Sequence, residues 1–207
     1  MDTLKNYVVL FISLLMFSTM AFSQNEKAIQ DAFSASYPYE KAAEYTKAID
    51  VMKKVYSEKS YEVNLRLGWL TYMSGLFTES QTYYQKAIAL MPLSIEAKLG
   101  YVYPAGALGN WEQVITQYKE ILKIDPKNST VNYRLGLIYY GREDYTTAFK
   151  YFEQVVNLYP FDYSSTLYFA WTNFKLGKTR EAKVLFNKVL MNTPNDASAL
   201  EGLGLIK

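Results

Sequence analysis

The stretch Tyr133–Asp144 reads YRLGLIYYGRED, and its Arg134-Leu135-Gly136 restates Arg66-Leu67-Gly68, which lies 68 residues upstream. Half of that interval recurs independently. Pro92, Pro126, Pro160 and Pro194 follow one another at 34 residues, so four of the six prolines keep a single period. Self-similarity at this period marks a stack of supersecondary units, each of which buries its apolar face only against its neighbours.

Composition sets the outer bounds. Half of the 207 residues are hydrophobic, enough for a packed core, and the formal charge of +2 is spread over interspersed acids and bases. No basic stripe of the kind that neutralises phosphates is present, which argues against nucleic acid as a partner. The chain has neither Cys nor His. It therefore has no usual zinc site, no thiol nucleophile and no Ser-His pair, and the reading requires no cofactor.

Residues 1–23 read as a secretory leader. Lys5 precedes the apolar run Tyr7 to Phe22, and Ala21-Phe22-Ser23 offers small residues at the two positions a signal peptidase recognises. The run falls short of the roughly 20 residues that span a bilayer. The expectation is an exported chain, periplasmic or secreted after cleavage before Gln24, with no stable membrane insertion of the mature form. Without Cys, such a domain relies on packing alone.

Counting Pro160 as position 32 of the segment Ser129 to Asp162 puts Leu135-Gly136 at 7 and 8, Tyr139 at 11, Ala148 at 20, Phe152 at 24 and Val155 at 27. This resembles the tetratricopeptide repeat, an L-G-x-x-Y then A-x-x-x-F then P pattern on two antiparallel helices. Frames 61–94, 95–128 and 163–196 repeat it with Leu67, Gly68, Tyr84 and Ala87, then Tyr101, Val102, Tyr118 and Ile121, then Phe169, Ala170, Phe186 and Val189. The resemblance implies an all-α, right-handed superhelical solenoid of antiparallel helix pairs. Position 8 lies where a first helix crosses its neighbours, so Gly68, Gly136 and Ala170 keep bulk out of the crossing, whereas position 6 is expected to point elsewhere.

Period and breakers place first helices near Glu62–Ser74, Glu96–Leu108, Thr130–Tyr140 and Ser164–Leu176. Second helices fall near Thr78–Leu90, Glu112–Ile124, Thr146–Asn157 and Thr179–Met191, with Gly75, Gly109, Gly141 and Gly177 in the turns. Residues 24–60 read as a degenerate pair, Gln24–Ser36 and Tyr39–Tyr56, carrying Ala48, Met52 and Val55 at positions 20, 24 and 27. Residues 197–207 read as a capping first helix with Leu203-Gly204 at positions 7 and 8. Pro104 sits inside a first helix, where it removes a backbone bond. Two look-alikes lack their context: Gly177-Lys178-Thr179 follows no strand, and Asn128-Ser129-Thr130 is a glycosylation sequon only in a secretory setting.

In the family, first helices line the concave face. Carried over residue by residue, that face presents Arg66, Trp69, Tyr72 and Met73; Leu99, Tyr103 and Gly106; Tyr133, Arg134, Leu137 and Tyr140; Leu167, Tyr168, Trp171 and Phe174. The Lys and Asn of the family's clamp for acidic peptide termini are not at these positions. Aromatic rings with two guanidinium groups imply a non-enzymatic scaffold that binds a protein or peptide segment. A second reading is a glycan- or small-molecule-binding module that stacks on Trp69 and Trp171. The apolar residues Leu200, Leu203, Leu205 and Ile206 predict contact of the last helix with a partner or with another copy of the chain.

Overall fold

The computed structural model describes residues 26–206, so the expected leader and its cleavage point lie outside the described residues. Every regular element among them is an α-helix: α1 over residues 26–41, α2 Tyr45–Lys53, α3 Tyr61–Met73, α4 Phe77–Leu90, α5 Ile95–Ala107, α6 Trp111–Ile124, α7 Ser129–Gly141, α8 Tyr145–Leu158, α9 Tyr163–Lys175, α10 Thr179–Asn192 and α11 Ala197–Leu205. Two compact units divide the chain within α6, one ending at Val114 and the other beginning at Ile115.

The starts of the first helices are written as caps. Ser60, Ser94, Asn128, Asp162 and Asp196 stand at the 34-residue spacing, and each side chain accepts a hydrogen bond from the backbone N–H three residues on. Such a cap contributes about 1 kcal/mol per helix. Asn128 is committed to this work, because its Oδ1 accepts from Val131 N–H and its Nδ2 donates to Asp125.

Short turns join the helices of a pair, and the fifteenth residue of each repeat turns left-handed. Gly75, Gly109 and Gly177 do so with φ of 80°, 73° and 74°. In the third repeat the residue is Glu143 at 60°, and Gly141 is instead the last residue of α7. The glycine therefore does not mark that turn, which an ordinary L-residue closes at a cost of about 1–2 kcal/mol. The N-terminal pair also departs from expectation: α1 continues through Pro38 to residue 41, and Ala43 makes the left-handed turn. As expected from the sequence, α5 runs through Pro104, and it keeps the 13-residue length of α3, α7 and α9.

In the first unit α3 packs on α2, α4 and α5; in the second, α7 and α9 touch each other and flank α8, and α9 meets both α10 and α11. The ring at position 24 is the wedge that sets this spacing. A Cβ on Gly68 would stand 2.9 Å from the ring of Tyr84, and one on Gly100 would stand closer still. Around the fully buried Phe152, a Cβ on Gly136 would meet the ring at 2.6 Å, while Tyr168 stacks on it at 5.8 Å and 17°. Phe186 likewise presses on Gly202, whereas Gly204 faces open space. Position 6 of the next repeat, occupied by Gly100, Tyr168 and Gly202, thus closes the far side of each ring. Both expectations change accordingly: position 6 enters the crossing, and Gly202 rather than Gly204 is the packing glycine of α11.

A buried polar residue at position 4 closes the junctions between repeats. Asn64 Nδ2 donates to the carbonyls of Ser57 and Ser60, Lys98 Nζ to Pro92 O at 2.6 Å, and Asn132 Nδ2 to Pro126 O. At Pro92 and Pro126 these bonds satisfy carbonyls to which no backbone N–H donates among the described residues, whereas the Ser57 and Ser60 carbonyls also accept one.

Candidate partner-binding face

In the first unit the sequence-derived residues fall into two groups. Trp69, Tyr72 and Tyr103 form a chain of rings, with Tyr72 at 5.9 Å from Trp69 and 5.5 Å from Tyr103. Tyr103 is 54% exposed and offers its ring to solvent. Arg66 is different: it is 9% exposed, its Nη1 lies 2.5 Å from Glu40 Oε2, its Nε and Nη2 donate to Ser36 Oγ, and its guanidinium covers the ring of Tyr37 at 4.3 Å. The Trp69 indole N–H donates to the other oxygen of Glu40 at 2.6 Å. Burial by itself raises the Glu40 pKa; the hydrogen bonds from Trp69 and Arg66 and the charge of Arg66 outweigh it and hold the carboxyl below its ordinary value. Glu40, Ser36 and Tyr37 carried no signal in the sequence, because they lie in the pair with the most degenerate repeat pattern.

In the second unit Tyr168 is the hub. Its ring contacts Tyr133 at 6.2 Å, Tyr140 at 5.6 Å and Phe152 at 5.8 Å. Trp171 sets its edge against Phe174 at 5.7 Å and Phe186 at 5.0 Å, and its indole N–H donates to Ser198 Oγ at 2.8 Å. Arg134, the second arginine of the repeated motif, is exposed. Tyr140, Leu167, Tyr168, Trp171, Lys175 and Ser198 line an open cavity of about 350 Å³. Burial pushes the Tyr140 phenol above its ordinary pKa, so it stands there as a neutral hydrogen-bonding group.

The lining of this cavity combines rings, one ammonium group and the hydroxyls of Tyr140, Tyr168 and Ser198, with no carboxylate. It suits an apolar or aromatic side chain next to a carbonyl or carboxylate. Lys175 and Ser198 were not among the sequence-derived positions. Lys175 lies at the end of α9, and Ser198 enters from the next repeat, which a position rule within one repeat does not reach.

Comparison with known proteins agrees with the geometry. Residues 131–162 match the tetratricopeptide repeat family model. The chain is 26% identical over 192 residues to the TPR repeat-containing protein YpiA of Bacillus subtilis, covering 91% of this chain and 45% of that protein. It is 31% identical over 96 residues to the Superkiller complex protein 3 of Homo sapiens, covering 46% of this chain and 6% of that one. The chain thus spans less than half the length of these relatives. Among solved structures, a tetratricopeptide repeat protein from Parabacteroides merdae superposes with a TM-score of 0.72 at 19% identity, over 86% of this chain and 71% of that one. The MamA protein does so with a TM-score of 0.71 at 18% identity, over 83% and 95%. At these identities the likeness speaks for the fold. The chain is thus similar to tetratricopeptide-repeat proteins: residues 131–162 match the family model, and the stacked helix pairs around them follow the same spacing.

Proposed function

We propose that the chain is an exported, non-enzymatic scaffold that holds a segment of a partner protein on the aromatic face of its first helices. The observation that carries this reading is the cavity of about 350 Å³ walled by Tyr140, Tyr168 and Trp171 and rimmed by Lys175. Aromatic rings beside a cation are the side chains that dominate protein interfaces, because they bury large rigid surfaces at little entropic cost. A peptide fits better than a glycan, since the indole N–H groups of both Trp69 and Trp171 are already bonded within the chain. Export is supported by the apolar run Tyr7 to Phe22 and the small-residue site at Ala21 to Ser23.

Photo-cross-linking tests the location. A cross-linking residue at Leu137, on the aromatic face, should trap a defined partner segment in the native host. The same residue at Val184, which is 64% exposed on α10, should not. Equal trapping at both positions contradicts the assignment.

A further inference from the structure

A second cavity, of about 680 Å³, lies at the junction of the third and fourth repeats, lined among others by Ser129, Tyr133, Tyr159, Phe161, Asp162 and Ser164. Its origin is a missing ring. At the first position of frames 61–94 and 163–196 stands a tyrosine that reaches across to the next helix cap, whereas frame 95–128 has Ile95 there. The Tyr61 hydroxyl lies 2.7 Å from Ser94 Oγ, and the Tyr163 hydroxyl donates to Asp196 Oδ2 at 2.6 Å while Asp196 Oδ1 accepts from Ala199 N–H. In the third repeat that position is Ser129, too short to span the junction. Asp162 keeps the cap bond, Oδ1 to Ser165 N–H at 2.8 Å, and its second oxygen has no tyrosine opposite it. Tyr133, which replaces the leucine found at the same position of the first repeat, lines the cavity together with Ser164 and leaves it open.

We propose that this pocket receives the phenol of a tyrosine side chain from a partner protein, with the ring between the starts of α7 and α9 and the hydroxyl donated to Asp162 Oδ2. The chain itself supplies the template twice, in Tyr61 and Tyr163. The lining contains no Lys or Arg, which disfavours an anionic ligand, and Asp162 offers an acceptor to a hydroxyl donor. The rim is ready for a protein surface, since Tyr159 and Phe161 are 54% and 55% exposed. The inference is independent of the aromatic face described above, with which the pocket shares only Tyr133.

The test uses the full chain, isotope-labelled, titrated with p-cresol and with toluene. Saturable shifts at Ser129, Tyr133 and Asp162 are expected with p-cresol, and toluene should bind about ten-fold more weakly because it leaves the carboxylate unpaired. Ser129→Tyr should fill the slot from within, abolish the p-cresol shifts and raise Tm by about 2–4 °C. Lack of saturable shifts in the wild-type chain, equal binding of toluene, or p-cresol binding retained by Ser129→Tyr would overturn the proposal. The wild-type titration stands whether or not the variant folds, and neither result bears on cross-linking at Leu137.

Discussion

Arg66 and Glu40 are bonded at 2.5 Å across the junction between α1 and α3, with the arginine side chain only 8% exposed and the carboxylate bonded to both it and the Trp69 indole. The first arginine of the repeated motif therefore ties the degenerate N-terminal pair to the array, while the second, Arg134, stands in solvent. Identical motifs 68 residues apart do different work because their neighbours differ.

Removing one partner of this pair should be costly. Glu40→Ala leaves a buried guanidinium with only Ser36 and the Tyr37 ring, and a loss of about 2 kcal/mol is expected, below the value for a fully buried pair because Glu40 is 25% exposed. Arg134→Ala should change stability by less than about 0.5 kcal/mol. Urea melts of the two variants make the comparison.

The wedge packing predicts opposite effects for two glycines of one helix. Gly136→Ala drives a Cβ to 2.6 Å from the Phe152 ring and should cost about 1–3 kcal/mol. Gly141→Ala meets nothing within 4 Å at the end of the same helix, and should be neutral or stabilising by up to about 1 kcal/mol. Thermal melts that rank the two in the reverse order would refute the wedge.

The 34-residue period, the helix pairs and the position-8 crossing were legible in the sequence because each rests on a residue type with a strong local preference: Pro at junctions, Gly at close approach, aliphatics in the core. Position 6 was not legible, since Arg66, Gly100, Arg134, Tyr168 and Gly202 share no property. Gly100, Tyr168 and Gly202 share a place against the ring of the preceding repeat, which only stacking reveals. The caps from Ser60 to Asp196 do keep the period and were readable in principle. The turn at Glu143 was not, because it overrides the preference that made Gly141 the natural candidate.

Stability should be level through neutral pH, because the chain has no His to titrate there. On the acid side Glu40, with its pKa held down in the folded state, contributes stability above about pH 4 that is lost as pH falls through its folded value. On the alkaline side burial raises the Tyr84 phenol, so the folded state retains a proton the unfolded chain releases, and stability falls as pH rises beyond about 10. Tm measured between pH 3 and 11, about the range these groups span, should form a plateau with two shoulders. Glu40→Gln should remove Glu40's contribution on the acid side.

The last helix offers a separate test. Leu200 and Leu205 are 48% and 53% exposed on α11. If this face contacts another copy, Leu200→Lys with Leu205→Lys should lower the mass found by light scattering at high concentration. A wild-type chain that stays monomeric there excludes self-association by this surface.

The central claim is that the aromatic face holds a partner. Its most direct test is the affinity of the segment cross-linked at Leu137 for wild-type and Tyr140→Ala proteins, each first shown by circular dichroism to be folded at the assay temperature. Tyr140 walls the cavity without the hydrogen bond that fixes Trp171 to Ser198, so its truncation reads binding more than folding. The account predicts a loss of about 2 kcal/mol, roughly 30-fold in Kd. An unchanged Kd in a folded Tyr140→Ala protein contradicts it.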